Sequence, residues 1–206
     1  ITYTWKADGS TVGTEATYLL TQAEVGKTIT VEARYTDGYG QAEVVASSTA
    51  AVANVNDTPM GSVSIDNTSP AQGDLLTASN TLADVDGLGV ITYTWKADGS
   101  TIGTGSTYTL TQAEVGKTIT VEASYSDGGG HAEMVASSTT AAVANVNDAP
   151  TGSVSIDNTS PAQGDLLTAS NTLADADGLG SITYTWKADG STVGTEATYL
   201  LTQAEV

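Results

Sequence analysis

The sequence predicts an all-β protein made of tandem antiparallel β-sandwich domains in a linear array. Three observations predict this class. They are a near-identical repeat of about ninety residues, short runs of alternating apolar and polar residues, and turn-forming residues between those runs. Each sheet would bury one face of its strands and leave the other in water. We expect no enzyme, because no copy of the repeat contains a complete catalytic set.

Two markers define the repeat. ITYTWKADGS occurs three times, with spacings of 90 and 91 residues, and NVND occurs twice, at 54–57 and 145–148. The extra residue is one Thr in SSTTAA, where the first copy has SSTAA. Cutting after NVND predicts three domains: the C-terminal part of a repeat at 1–57, a complete repeat at 58–148 and the N-terminal part of a repeat at 149–206.

A longer period is also visible. Residues 182–206 match residues 1–25 at every position, whereas the middle copy differs there, with Gly105 and Thr109. This pattern indicates a super-repeat of two units. We therefore expect the chain to be a window of a longer array.

Alternation within residues 58–148 predicts the strands of one domain. The runs are SVSI (62–65), LLTASNTL (75–82), ITYTWKA (91–97), TYTL (107–110), TITVEASY (118–125), and AEMVAS with AAVANV for the last strand. The predicted inward residues are Val63, Ile65, Leu76, Ala78, Leu82, Ile91, Tyr93, Trp95, Tyr108, Leu110, Ile119, Val121, Ala123 and Tyr125.

Turn signals rich in Gly, Asp and Pro separate these runs, at 69–74, 84–89, 96–101 and 126–131. Only LTQAEVGK (110–117) is suited to a single helical turn. About seven short strands with a turn every 8–12 residues are typical of an immunoglobulin-like sandwich.

The composition of the chain limits the classes of partner that it can bind. The chain has 24 acidic side chains against 6 basic ones, for a net charge of −18, and no cysteine. Such a polyanion repels nucleic acid and anionic membranes and attracts divalent cations, calcium above all. No apolar run approaches the ~18 residues of a membrane span. We expect neither a nucleic-acid partner nor membrane insertion. An acidic cytosolic protein is the alternative that composition leaves open.

The segment TYTWKADGSTIGTGSTYTLTQAEVGKTITVEASYSDGGG (92–130) resembles bacterial immunoglobulin-like repeats, and NVNDAP resembles the linker of cadherin-like repeats. Tandem copies with both features resemble the extender regions of giant RTX-type adhesins and biofilm-associated surface proteins. The resemblance implies a cell-adhesion role and an extracellular location, on the bacterial cell surface or secreted. The expected partners are neighbouring repeats of the same chain.

In an immunoglobulin-like sandwich, the BC and FG loops of one domain face the EF turn and chain exit of the domain before it. Acidic residues therefore gather at each junction, where calcium, with ~6–8 oxygen ligands, would relieve their repulsion. The first junction comprises Glu24, Asn54, Asn56, Asp57, Asp84, Asp86 and Asp127. The second junction comprises Glu114, Asn145, Asn147, Asp148, Asp175 and Asp177.

The cadherin-like resemblance implies calcium through an acidic turn residue, the linker Asn-Asp and a following Asp-x-Asp. Glu114, Asn147–Asp148 and Asp175/Asp177 match these types. The linker is shorter and less acidic than in that family, which leaves the number of ions open. The alternative is that Asp-x-Asp-Gly is only a solvated turn, since Asp and Gly favour turns in any case.

Other candidates are weaker. His131 is the only histidine, and Gln41 takes its place in the first copy. One histidine without cysteine cannot supply a zinc site of three or four such ligands. The three tryptophans are expected in the core rather than as sugar-stacking platforms. Tyr39 is the one aromatic expected to be exposed.

The sequence thus predicts structural extender repeats of a bacterial adhesin or surface fibre, stiffened by calcium at the junctions. One alternative is a self-assembling extracellular filament or biofilm matrix protein, in which copies of the chain pack laterally or exchange strands. Another alternative is a carbohydrate-binding module.

Overall fold

A computed structural model describes residues 1–205; Val206, the last residue of the third predicted domain, lies outside them. Within that range, sixteen strands form five sheets, and their strands pair in antiparallel fashion. The strands are β1 (Thr2–Ala7), β2 (Ser10–Gly13), β3 (Thr28–Thr36), β4 (Ala42–Ala51), β5 (Val63–Ile65), β6 (Leu75–Asn80), β7 (Thr92–Ala97), β8 (Ser100–Thr104), β9 (Thr107–Thr109), β10 (Ile119–Ser126), β11 (Ala132–Ala136), β12 (Val154–Ile156), β13 (Leu166–Asn171), β14 (Trp186–Ala188), β15 (Ser191–Gly194) and β16 (Thr198–Leu200). The predicted all-β class is confirmed.

The chain divides into two compact units. Unit 1 comprises Ile1–Thr68, Leu75–Tyr108 and Thr118–Ala141, and unit 2 comprises Ser69–Asp74, Thr109–Lys117 and the chain from Ala142 onward. The sheets with strand orders β2-β1-β3-β4, β5-β6-β9 and β11-β10-β7-β8 belong essentially to unit 1. Unit 2 holds β12-β13-β16 and β14-β15.

The core of unit 1 follows the predicted alternation. On β10, Ile119, Val121, Ala123 and Tyr125 are buried, and Val121 lies opposite the buried Trp95 of β7. Because side chains alternate between the two faces of a strand, one inward face accounts for all four residues of β10.

The sheet β5-β6-β9 adds its own buried residues to unit 1. Val63, Ile65, Leu76 and Ala78 are buried, as predicted, and β5 contacts β10. Burial of these apolar side chains on strands from two sheets gives the unit its main stabilisation.

The same sequence is less buried in unit 2. Val154 and Ile156 of β12 are 58% and 45% exposed, against 5% and 7% for the equivalent Val63 and Ile65. The counterpart of the sheet β11-β10-β7-β8 is represented in unit 2 by β14-β15 alone. Residues 149–206 include no copy of the sequence that forms β10 and β11, so β12 has no equivalent of the β5–β10 contact that buries Val63 and Ile65.

The predicted helical turn is present as a 3₁₀ turn at Gln112–Glu114, with equivalents at Gln22–Glu24 and Gln203–Glu205. No helix within residues 1–205 has the length and apolar character needed to cross a bilayer. The hairpin at Asp98–Gly99 has φ of 45° and 82°, values that favour Asp-Gly in a tight two-residue turn.

The predicted last strand needs a correction. AEMVAS forms β11, but AAVANV forms only isolated bridges, such as Val115 with Val143. In the first copy β4 continues unbroken to Ala51. The extra Thr of SSTTAA falls within this break and is absorbed there, because Val143 makes the same bridge to Val115 that Val52 makes to Val25 in the first copy.

Candidate metal centre

Two loops of unit 1 lie side by side at one end of the paired strands β7 and β10. β7 and β10 are antiparallel neighbours, with Thr92 opposite Ser124. The loop that leads into β7 therefore lies beside the loop that follows β10. The first loop carries Asp84 and Asp86, and the second carries Asp127. These three residues, called here the carboxylate cluster, each offer an oxygen within 4.8 Å of the others.

Local hydrogen bonds shape the first loop. The backbone N–H of Asp86 donates to Asp84 Oδ1 at 2.9 Å, and that of Gly87 donates to the Asp84 carbonyl at 3.1 Å. This is the Asx turn that Asp-x-Asp-Gly favours. It places both carboxylates on one short loop.

A glycine lets the second loop approach the first. The Gly128 N–H donates to the Asp86 carbonyl at 3.1 Å. A Cβ atom at residue 128 would lie 2.3 Å from that same oxygen, so a larger residue would push the loops apart. Gly128 thus brings Asp127 to the other two carboxylates.

Asp127 holds the least satisfied oxygen of the carboxylate cluster. Its Oδ1 accepts a hydrogen bond from the His131 N–H at 2.7 Å. Its side chain is 0% exposed, and Oδ2 has no hydrogen-bond partner. A buried polar group without a partner costs about 1–3 kcal/mol, and more when it is charged. A cation beside Oδ2 would remove that cost.

Asp84 is anchored from the core. The Tyr125 hydroxyl donates to Asp84 Oδ2 at 2.6 Å. Burial, and then this hydrogen bond to a carboxylate, raise the pKa of Tyr125 well above its usual range. Tyr125 therefore stays a neutral donor that orients Asp84.

Asp86 is held by the residues that precede the middle repeat. The Asp57 N–H donates to Asp86 Oδ2 at 2.7 Å. The Gln22 side-chain amide donates to Asp86 Oδ1 at 2.9 Å and to Asn54 Oδ1 at 3.2 Å. The linker and the first 3₁₀ turn are thereby tied to the carboxylate cluster.

The other residues of the predicted first junction have different roles. Asn56 donates from its side chain to Glu133 Oε1 at 2.8 Å, and Asp57 reaches the cluster through its backbone. Glu24 accepts hydrogen bonds from the Tyr18 hydroxyl and from the N–H and hydroxyl of Thr21. The Thr21 hydrogen bonds are the main cause that lowers the pKa of Glu24. Glu24 therefore caps its own 3₁₀ turn and is not part of the carboxylate cluster.

The second junction, within unit 2, repeats part of this arrangement. The Asp148 N–H donates to Asp177 Oδ2 at 2.8 Å, and the Asp177 N–H donates to Asp175 Oδ1 at 2.9 Å. The Asn147 side chain donates to the Asp148 carbonyl at 3.0 Å. Glu114 accepts from the N–H and hydroxyl of Thr111, each at 2.8 Å, so it too caps its turn.

Sequence reasoning missed two contributors. Gln22 lies two residues before Glu24 in the same turn. It contacts Asp86, which is 64 residues later in the sequence. Tyr125 was predicted as an inward core residue, but nothing in the alternation indicated that its hydroxyl reaches Asp84.

The carboxylate cluster fits a divalent cation. Hard cations such as calcium bind carboxylate oxygens, and three are close together here. The turn hydrogen bonds of Asp84 and Asp86 agree equally with the solvated-turn alternative. The buried Oδ2 of Asp127, which has no hydrogen bond and has His131 Nδ1 at 3.5 Å, is the feature that a turn alone leaves unexplained.

The aromatic residues follow the prediction in part. Trp95 and Trp186 are buried and Trp5 is half-buried, and the indole of Trp95 donates to the Gly105 carbonyl. Tyr39 is 94% exposed, as expected. Tyr35 is also exposed, which the sequence reading did not foresee.

No protein-family model matches this chain, and no curated protein sequence matches it.

Proposed function

We propose that this chain is a set of extracellular structural extender repeats, of the kind found in bacterial adhesins or surface fibres, and that a calcium ion stiffens the first junction. The proposed role is mechanical. Repeated domains would space a terminal binding region away from the cell, and the cation would restrict motion between neighbouring repeats.

The carboxylate cluster is the observation that carries the proposal. It joins two loops of the middle repeat, and Asp127 contributes a buried oxygen with no hydrogen bond. Asp86 in turn accepts hydrogen bonds from Asp57 and Gln22 of the preceding repeat. A cation held here would stabilise both repeats at the point where they meet.

Asp84, Asp86 and Asp127 would hold the ion. Calcium would supply positive charge at a place where, within residues 1–205, no lysine or arginine forms an ion pair, because the ion pairs of those residues lie elsewhere. They are Lys6–Glu32, Arg34–Glu32 and Lys96–Glu122. The net charge of −18 also favours cation binding, since a bound cation reduces the self-repulsion of the folded state.

The strand order supports the domain type in this proposal. β5-β6-β9 and β11-β10-β7-β8 correspond to strands A-B-E and G-F-C-C′ of an immunoglobulin-like sandwich. The buried Trp95 on β7 corresponds to the tryptophan of strand C in that fold.

Thermal unfolding of the 206-residue chain tests the proposal. Calcium in excess over EDTA should raise the melting temperature, since a ligand at a hundred times its Kd stabilises by about 2.7 kcal/mol. Small-angle X-ray scattering in the same two buffers measures the maximum dimension, which calcium should increase. Magnesium is the control ion. Identical melting temperature and dimension with calcium and with EDTA would contradict the proposal.

A further inference from the structure

Unit 2 has an open apolar groove of about 280 Å³. The residues that line it include Val154, Ile156, Ala169, Tyr184 and Trp186. In the middle repeat, β10 occupies the equivalent place, because it pairs with β7 and contacts β5, the counterpart of β12. Residues 149–206 contain no copy of the β10 sequence. The groove therefore marks the position that a strand of the β10 type takes in a complete repeat.

Residues 1–57 contain such a strand without its covering sheet. β3 has the sequence TITVEARYT, against TITVEASYS at 118–126. Val31 and Ala33 of β3 are only half-buried and Tyr35 is exposed, whereas their counterparts on β10 are all buried. Residues 1–57 contain no copy of the β5 and β6 sequences. Residues 1–57 and 149–206 thus expose complementary apolar faces.

The strand that pairs with β3 occurs again near the other end of the sequence. β1 pairs with β3, with Trp5 opposite Val31. Residues 182–206 have the same sequence as residues 1–25, so residues 182–188 can make the hydrogen bonds to β3 that β1 makes. In unit 2, residues 183–185 lie outside any strand, although their counterparts belong to β7. Exchange of identical strands keeps the pairing of β3 and adds the sheet β12-β13-β16 to its exposed face.

A second contact lies at the end of the last strand. In the middle repeat, the Ala144 N–H donates to the Pro70 carbonyl and the Gln72 N–H donates to the Ala144 carbonyl, each at 2.9 Å. The counterpart of Ala144 in the first copy is Ala53, and residues 161–163 of unit 2 correspond to residues 70–72. The same exchange would bring these two backbone segments together.

We propose that two copies of this 206-residue chain associate by strand exchange. Residues 149–206 of one copy replace residues 1–25 on β3 of the next copy, and one sandwich repeat is completed from two chains. Burial of the apolar side chains on both faces favours the exchanged form. The contact joins two unlike surfaces, so further copies can add to the free ends. The association needs no metal ion and is independent of the calcium site.

Analytical ultracentrifugation of the chain in EDTA tests the proposal without any contribution from calcium. The mean mass should rise above that of one chain as the protein concentration increases. Ile156→Asp places a charge in the groove and should return the mass to that of one chain. Ser155→Asp is the matched control, because Ser155 lies on the opposite, exposed side of β12, and it should associate like the parent.

Mixing two variants tests whether the contact joins unlike ends. Ala33→Asp places a charge on the exposed face of β3 and should also have the mass of one chain. An equimolar mixture of Ile156→Asp and Ala33→Asp, incubated until its mass is constant, should form dimers, because each variant keeps the end that the other has lost. Circular dichroism checks that both variants are folded. A parent chain that keeps the mass of one chain at every concentration overturns the proposal, and so does a mixture that stays monomeric.

Disulfide formation tests the strand register without weakening the contact. Thr2 lies opposite Arg34 in the pairing of β1 with β3, so the exchange places Thr183 opposite Arg34 of the next copy. The chain has no cysteine. Thr183→Cys and Arg34→Cys, prepared separately, mixed and oxidised, should therefore give more heterodimer than homodimer of either variant. A heterodimer yield no higher than random pairing overturns the proposed exchange.

Discussion

Two loops with the same Asp-x-Asp-Gly pattern, Asp84–Gly87 in unit 1 and Asp175–Gly178 in unit 2, have different surroundings. Each accepts the backbone N–H of an NVND aspartate, at 2.7 Å from Asp57 and 2.8 Å from Asp148. Asp86 is buried, whereas Asp177 is exposed. Only the first loop has a third carboxylate, Asp127, among the described residues.

The difference shows that the motif alone does not make the site. The hydrogen bond within the loop and the one from the linker aspartate N–H are the same in both copies, so the local sequence specifies them. The buried carboxylate comes from a loop some forty residues later, and the pairing of β7 with β10 brings it there. Residues 149–206 include no stretch equivalent to β10 and Asp127, so the comparison applies to these 206 residues, in which we expect the two loops to respond differently to cations.

The largest expected effect is on calcium binding. Asp127→Asn removes one of three charges and the unpartnered oxygen, so we expect at least a tenfold weaker Kd, about 1.4 kcal/mol. Asp37→Asn is the matched control, because Asp37 holds the equivalent position in the first copy and accepts the same kind of loop hydrogen bond. Calorimetric titration measures both.

Asp177→Asn sharpens the comparison in the same titration. Its effect on calcium affinity should be smaller than that of Asp127→Asn. Equal losses would mean that the two junctions are equivalent and that the third carboxylate is irrelevant.

The next effect concerns Tyr125. Tyr125→Phe removes the hydrogen bond to Asp84, and we expect a loss of about 1.5 kcal/mol in the free energy of unfolding. Tyr35→Phe, at the equivalent but exposed position of β3, should cost less than 0.5 kcal/mol, the usual range for surface changes. Denaturant unfolding at neutral pH compares the two variants.

The raised pKa of Tyr125 also predicts that the stability of the folded chain falls at alkaline pH. Its pKa is raised in the folded state, so its contribution to stability is fully present below the ordinary tyrosine pKa of about 10 and is lost as the pH rises above it. The free energy of unfolding should therefore fall less for Tyr125→Phe than for the parent between about pH 9 and pH 11. This window extends roughly one pH unit to either side of the ordinary tyrosine pKa. Parallel losses in the two proteins would contradict this assignment.

The smallest effect is one that both units share. The Thr77 N–H lowers the pKa of Asp66, and the Thr168 N–H lowers that of Asp157. A lowered folded-state pKa stabilises above the ordinary aspartate pKa of about 4 and is lost as the pH falls through the folded value. Asp66→Asn and Asp157→Asn should each reduce this acid dependence slightly, as measured by thermal unfolding between neutral and acidic pH. A change in only one variant would show that the local turn is not shared.

The fold was predictable to the extent that alternation determines it. The inward faces of β5, β6 and β10 follow from a period of two, because one face of each strand is buried. The break after β11 did not follow, since nothing in the alternation shows where the extra Thr is absorbed. The exposure of β12 did not follow either, because it depends on a second sheet.

The candidate site was predictable in part. Topology correctly indicated that the loops of Asp84, Asp86 and Asp127 share one edge. Glu24 was included by the same topology, although Thr21-x-x-Glu24 is a capping pattern that was visible in the sequence. The contact of Gln22 with Asp86 had no sequence signal, because a side-chain amide can bond to many partners.

The central claim is that the carboxylate cluster holds a divalent cation. Anomalous diffraction from crystals of the chain grown with calcium tests it most directly. We predict one anomalous peak between Asp84, Asp86 and Asp127, absent from crystals of Asp127→Asn. Ordered carboxylates with no peak between them at saturating calcium would contradict the claim.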